Sequence, residues 1–384
     1  MRVLYVAHTS AEGGSSAALI NIIKGMQSNN IECAVVCPTR EGHLVERLQQ
    51  MRIQCYIPKR RYEGYHIYPP VKRLGQWIIY FIKDYLAEKR GERFLTKVIK
   101  EYRPDLVHTN SSACIIGYNV CKRVGIKHIW HIREYLESFS SWTPKPNISS
   151  HKNRLLSPNS YNIAITKSMF NHYCMTSPNT YIYDGVIDTK QQINPQIELP
   201  YPYFLFVGAL TRDKGVDIAV KEFLKFKITN NTHHLVIIGL TKDPSLDKEL
   251  KQMISSQNAS NYVHWLGHRN DVYDWMCKAT ALLVPSLKEG FGFTVAEGMF
   301  CNTIVIARDT TGIKEQFDKG LQETGIEIGL RFTHDDELIG LMNRSISEDF
   351  SLMKEYAHKV VLNNYTIEAN VDKILEFYHK VLGL

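Results

Sequence analysis

The chain alternates short apolar runs with helical stretches, and it does so twice. "RVLYVAH" (2–8), "ECAVVCP" (32–38), "IQCYIP" (53–58), "DLVHTN" (105–110), "KHIWHI" (127–132), "YNIAIT" (161–166) and "TYIYDG" (180–185) read as strands, with helical runs such as Ser16–Ser28 and Ser112–Val124 between them. Strands that are apolar almost throughout and separated by helices belong to parallel sheets covered on both faces. A polar, proline-bearing stretch, "IDTKQQINPQIELPYPY" (187–203), interrupts the pattern and reads as a linker. The alternation then resumes with "YFLFVGAL" (203–210), "HHLVIIGL" (233–240), "NYVHWLG" (261–267), "ALLVPS" (281–286) and "TIVIAR" (303–308), and residues 334–382 read as helices with no closing strand.

The expected architecture is α/β: two doubly wound parallel-sheet domains, an N-terminal one at 1–195 and a C-terminal one at 200–365, with a helix at 366–384 packing back toward the first. A length of 384 residues suits two domains of ordinary size. Ligands of such sheets bind beyond the carboxyl ends of the strands, so two domains facing each other are expected to hold a site in the cleft between them.

"MRVLYVAH" runs straight into a strand pattern, so no signal peptide is expected. No apolar run reaches the length of about 18 residues that a membrane span needs. The eight cysteines form no CxxC pair, which argues against a metal site or a disulfide framework and for reduced thiols in the cytoplasm. The net charge of +7 resides entirely in residues 59–103, where twelve Lys/Arg meet five Asp/Glu. Such a segment attracts phosphates. Within it, Leu74, Trp77, Ile78, Phe81 and Tyr85 fall on one helical face, with a basic face opposite. That pattern suits either a core-facing helix or one lying on an anionic membrane.

Three strand-to-helix turns carry the candidate chemistry. In "VGALTRDKGVD" (207–217), Arg212 and Lys214 sit where a helix opens, a position that disfavours cations unless an anion binds there. In "KEGFGFTVAEG" (288–298), Gly290 and Gly292 let the backbone approach a ligand, with Phe291, Phe293 and Thr294 beside them. Glu289 and Glu297 bracket that turn; carboxylates there suit sugar hydroxyls, although Thr294–Glu297 also fits a capping box. In "HTSAEGGSSAALINII" (8–23), Gly13 and Gly14 open a helix without forming a dinucleotide fingerprint. His131 stands at the carboxyl end of a strand in "IWHIREY" (129–135).

Taken together, these stretches resemble the retaining glycosyltransferases of family 4, of the GT-B fold with two Rossmann-like domains. E289-G-F-G-F-T-V-A-E297 is the most specific element, and "VGALTRDKGVD", "VHWLGHRNDVYDWM" and "LLVPSLKEGFG" follow in matching order and spacing. The resemblance implies transfer of a sugar from a nucleotide-diphosphate sugar, with UDP favoured, to a glycan or lipid-linked acceptor in bacterial surface polysaccharide synthesis. It implies that Glu289 contacts the donor sugar, Glu297 the ribose, the backbone N–H groups around Gly292–Thr294 the diphosphate and sugar, Lys214 the diphosphate, and His131 the transferring sugar, with Gly13-Gly14 in the loop near the acceptor and phosphate. No cofactor or metal is implied, and no DxD motif is present to hold one. A cytoplasmic protein is expected, peripheral to the inner face of the plasma membrane through residues 59–103, and nucleic acid is not an expected partner. The sequence departs from the family at Ala209, where an Arg is usual, at Asp184 for Asn, and at Thr311-Gly312 in a glycine-rich turn. Arg212 is the candidate substitute for the missing Arg. Two rival functions sit on the same scaffold: a nucleotide-sugar epimerase, and a non-catalytic nucleotide-sugar-binding subunit paired with an active partner.

Overall fold

A computed structural model describes residues 1–62, 74–138, 148–158, 160–191, 193, 195–241 and 243–384, except for the side chains at 74–78, 80 and 138. The chain divides into two units: Met1–Gly185 with Ile367–Leu384, and Val186–Thr366.

The first unit runs β1 (Arg2–Val6), α1 (Gly14–Ser28), β2 (Glu32–Val36), α2 (His43–Gln50), β3 (Gln54–Tyr56), α3 (Leu74–Tyr102), β4 (Leu106–Thr109), α4 (Ile116–Val124), β5 (Lys127–Ile132), α5 (Ile148–Leu155), β6 (Tyr161–Ala164), α6 (Lys167–His172) and β7 (Thr180–Tyr181). Its strands lie in the order β3-β2-β1-β4-β5-β6-β7, every pair parallel. Apart from the edge strands β3 and β7 and the strand starts, the strand side chains are buried on both faces, which is why the runs are apolar without alternation. One face carries α1, α2 and the late helix Ile367–Leu382, whose Ile374, Phe377 and Tyr378 join Leu19, Ile23 and Val35 in one core cluster. The opposite face carries α3 and α4, with Leu95, Val98 and Val120 against Leu4 and Val107.

The second unit runs β8 (Tyr203–Val207), α7 (Val216–Lys227), β9 (His234–Ile238), α8 (Pro244–Ser256), β10 (Val263–Gly267), α9 (Val272–Lys278), β11 (Ala281–Val284), α10 (Phe293–Phe300), β12 (Ile304–Arg308), α11 (Thr311–Thr324), β13 (Leu330–Phe332), α12 (Glu337–Ser347) and α13 (Ser351–Asn364). Its sheet is parallel throughout, in the order β10-β9-β8-β11-β12-β13. The late helix, α14 (Ile367–Leu382), returns the chain to the first unit. All twelve strands expected from the sequence are present; β5 matches its run, and the others are shorter than theirs, β7 most of all. β13 is additional; its three residues are too few to show a period. Each sheet has one place where the strand order reverses: β1 beside β4, and β8 beside β11. The loops leaving adjacent strands diverge there, which opens a crevice at their carboxyl ends.

Candidate active site

In the second unit, the crevice between β8 and β11 is a recess lined by Val207, Gly208, Lys214, Ser286, Glu289 and Thr294 among others. Lys214 reaches it from a single 3-10 turn, Arg212–Lys214, rather than from the first turn of a long helix. The Thr211 hydroxyl accepts from the Lys214 N–H at 3.3 Å, and Gly215, in the left-handed region, redirects the chain into α7. The Lys214 Nζ donates to Glu289 Oε1 at 2.6 Å, with 38% and 15% of the two side chains exposed. A cation and a carboxylate therefore meet on an accessible wall of the recess.

Arg212 stands apart from that pair. Its guanidinium is engaged by Asp217 at 3.2 Å and Glu249 at 2.5 Å and is 55% exposed. Ala209 is exposed at the end of β8 and brings no charge. Sequence spacing thus placed two cations together, and the structure brings only Lys214 to Glu289.

The loop carrying Glu289 is held from α11. Thr311 has φ +39, strained for a β-branched residue. Its hydroxyl accepts from the Glu289 N–H at 3.0 Å and donates to the Glu289 carbonyl at 2.6 Å. The strained threonine thus anchors Glu289 where a glycine would not. A Cβ on Gly312 would lie 2.4 Å from the Gly290 carbonyl oxygen, so the next position admits only glycine. The Gln316 amide donates to the carbonyls of Phe291 at 2.7 Å and Gly292 at 3.2 Å.

Gly292, with φ +99, is the N-cap of α10 and lends no side chain to the helix N–H groups. The helix begins at Phe293, so Thr294 is inside it and the expected capping box does not form: Thr294 and Glu297 lie too far along the helix to close one. Glu297 instead accepts from the Tyr273 hydroxyl at 3.5 Å. Burial pushes its carboxyl up to about 7, against the lowering effect of Tyr273.

In the first unit, Gly13 caps α1, again without a side chain on the open N–H groups, and a Cβ at Gly13 or Gly14 would meet nothing within 4 Å. His131 is the penultimate residue of β5 and is completely buried. Its Nδ1 lies 3.1 Å from His108 Nε2 and 3.3 Å from Arg133 Nη2, whereas its Nε2 has no partner among the described residues. Burial, with Arg133 close by, holds His131 and His108 well below the usual histidine range, so both are neutral. Arg133 Nη1 donates to both oxygens of Asp184, at 2.6 and 2.8 Å. This pairing accounts for the acid at 184, since an asparagine would leave a buried guanidinium uncompensated.

Sequence reasoning passed over Thr311, Gln316, Tyr273, His108 and Arg133 as contributors to the site. Thr311 and Asp184 were visible only as departures from a family pattern. No group of three or more His, Cys, Asp or Glu side chains among the described residues is arranged to hold a metal ion.

Residues 188–349 match the family model "Glycosyl transferases group 1" and residues 12–179 match "Glycosyltransferase Family 4". An uncharacterized glycosyltransferase of Methanocaldococcus jannaschii is 34% identical over 139 residues, covering 35% of each chain. A Campylobacter jejuni N-acetylgalactosamine-N,N'-diacetylbacillosaminyl-diphospho-undecaprenol 4-alpha-N-acetylgalactosaminyltransferase is 28% identical over 173 residues, 44% of each chain. This chain thus spans less than half the length of these two curated relatives. The fold is shared with Anabaena HepE, solved in complex with UDP and glucose, at a TM-score of 0.77 and 19% identity over 99% of this chain and 100% of that one.

Proposed function

We propose an activity for this chain on one premise: it belongs to the GT-B glycosyltransferases, matching family 4 over most of its first unit and group 1 over most of its second. The activity is transfer of a sugar from a nucleotide-diphosphate sugar to a glycan or lipid-linked acceptor, with retention at the anomeric carbon and without a metal. The observation that carries it is the Lys214–Glu289 pair in the β8/β11 crevice, beside the uncapped N-terminus of α10. A diphosphate draws Lys214 from the carboxylate and takes the N–H groups of α10. Glu289, freed of its cation, accepts hydrogen bonds from the sugar, and Glu297 accepts them from the ribose. As the anomeric C–O bond breaks, charge grows on the departing phosphate, where Lys214 and the helix N-terminus stabilise it. The acceptor oxygen forms the new bond on the same face, and its proton passes to the leaving phosphate.

UDP is the favoured nucleotide because HepE, which shares the fold, is solved in complex with UDP and glucose. A lipid-linked acceptor is supported by the undecaprenol-linked substrate in the name of the Campylobacter relative, and a place in bacterial surface polysaccharide synthesis by similarity to a lipopolysaccharide core biosynthesis mannosyltransferase of Rhizobium leguminosarum. The test is turnover and thermal shift across UDP- and GDP-sugars, with Glu297→Gln as control. A ligand at 100 times its Kd adds roughly 2.7 kcal/mol, so a binding donor raises Tm and the variant loses most of the rise. Absence of any shift at millimolar donor would overturn the reading.

The same titration has a pH signature. Glu297 accepts best when ionised, and its folded pKa near 7 lies above the ordinary carboxylate value. Donor affinity is therefore expected to fall as pH drops through about 7, by up to roughly tenfold per pH unit. Glu297→Gln should flatten that slope; a slope unchanged in the variant would assign the titration to another group.

The chain is also proposed to dock on an anionic membrane through the basic segment 59–103. Part of that segment, including the side chains of Leu74, Trp77 and Ile78, lies outside the described residues. Farther along α3, Ile79, Ile82 and Leu86 recur at helical spacing with 53, 50 and 49% exposure, and Phe81 and Tyr85 are exposed as well. Lys83, Lys89 and Arg90 flank them. No helix among the described residues is long and apolar enough to cross a membrane. Co-sedimentation with vesicles rich in phosphatidylglycerol should be strong at low salt, and Ile82→Asp with Leu86→Asp should abolish it. Full retention in the supernatant would sink the idea.

A further inference from the structure

The polar cluster behind His131 has a direction. A guanidinium possesses donors only. Arg133 Nη2, 3.3 Å from His131 Nδ1, therefore makes that nitrogen an acceptor, and neutral His131 carries its proton on Nε2. His108 Nε2, 3.1 Å from the same Nδ1, is compatible only as a second donor. His108 Nδ1 is then the acceptor, and the Tyr378 hydroxyl of α14 supplies its hydrogen. Tyr378 in turn accepts from the Tyr5 hydroxyl at 3.3 Å. The assignments agree along the chain, with His131 Nδ1 sharing its single lone pair between the two donors. Arg133 is itself fixed by Asp184 and by its Nε, which donates to Asn110 Oδ1 at 3.0 Å.

The whole relay is enclosed: Tyr5, His108, His131 and Tyr378 are each 0% exposed, and Asp184 is 2% exposed. It ends on His131 Nε2–H, the one atom in it whose hydrogen-bonding need is unmet among the described residues. We propose that Arg133, Asp184, His108 and Tyr378 are positioning residues that lock His131 as an Nε2–H donor, reserved for a substrate oxygen. His131 is thereby barred from serving as a base, because its basic nitrogen faces the guanidinium. A substrate oxygen as recipient rests on the glycosyl-transfer reading; the tautomer and the relay do not.

The test is two-bond 1H–15N NMR of the full chain with 15N-labelled histidine, the His131 signals being assigned by their loss in His131→Gln. The expected spectrum near neutral pH has a protonated Nε2 and a bare Nδ1 at both His131 and His108. In Tyr378→Phe, His108 is expected to divide between its two tautomers, with His131 following in part, and kcat/KM to fall about tenfold, the worth of one hydrogen bond. If that variant does not fold, the pair Arg133→Met with Asp184→Leu gives the equivalent test, since it removes the guanidinium without stranding a charge. A wild-type spectrum with Nδ1–H or imidazolium at His131 would overturn the proposal. So would unchanged tautomers at both histidines in a folded variant. Absence of turnover with the expected spectrum would instead count against glycosyl transfer and leave the relay standing.

Discussion

Lys214→Ala is expected to lower kcat/KM by about 10²–10³-fold, the usual cost of removing one preorganised charge from the position where transition-state charge develops. The effect should fall mainly on kcat, because the departing diphosphate carries more charge on the leaving oxygen than the bound donor does. Arg212→Ala is the informative comparison. Two carboxylates already engage Arg212, and it is more than half exposed, so its loss is expected to cost less than tenfold. Steady-state rates of both variants on the best donor decide the matter. Equal losses would mean that Arg212 leaves Asp217 and Glu249 during turnover and substitutes for the arginine absent at Ala209. A Lys214→Ala enzyme with near-normal rates would remove the electrostatic account altogether.

Asp184→Ala is expected to be the most destabilising single change in the first unit. It leaves the Arg133 cation buried and unpaired, and breaking a buried pair in this way costs about 3–5 kcal/mol. At about 2–4 °C per kcal/mol for a unit of this size, Tm should drop by roughly 10 °C. Exchanging both partners for apolar residues, Arg133→Met with Asp184→Leu, should recover most of the loss, since an apolar pair can replace a buried ion pair at little cost. The double variant would still be catalytically poor, because His131 would have lost its guanidinium partner. Thermal denaturation of the three proteins tests this. A fall of less than about 1 kcal/mol for Asp184→Ala would show that water or a shifted side chain reaches Arg133.

What the amino-acid sequence reveals and what it hides follow from range. Strands and helices have local signatures, so the parallel sheets were readable from runs such as "ALLVPS" and "HHLVIIGL". The Glu289 loop was readable because glycines and acids sit within ten residues of one another. Helix starts were harder: "TVAE" has capping-box spacing, but left-handed Gly292 starts α10 two residues earlier than that box requires. Contacts between distant segments left no local trace. Thr311 meets Glu289 across 22 positions, Arg133 meets Asp184 across 51, and His108 meets Tyr378 across 270. Those pairs are set by the fold and not by any local run of residues.

The return of α14 to the first unit has a consequence for the order in which the protein matures. Chains generally acquire structure from the amino end as they leave the ribosome. Here Val186–Thr366 is one uninterrupted segment, whereas the unit that precedes it needs Ile367–Leu384 to cover α1 and to present Tyr378 to His108. The later-made unit can therefore mature first, while the earlier-made one waits with an apolar face open. Translation must pass residue 378 before the Tyr378 hydroxyl can reach His108, so the buried polar cluster of the amino-terminal unit is among the last contacts to form.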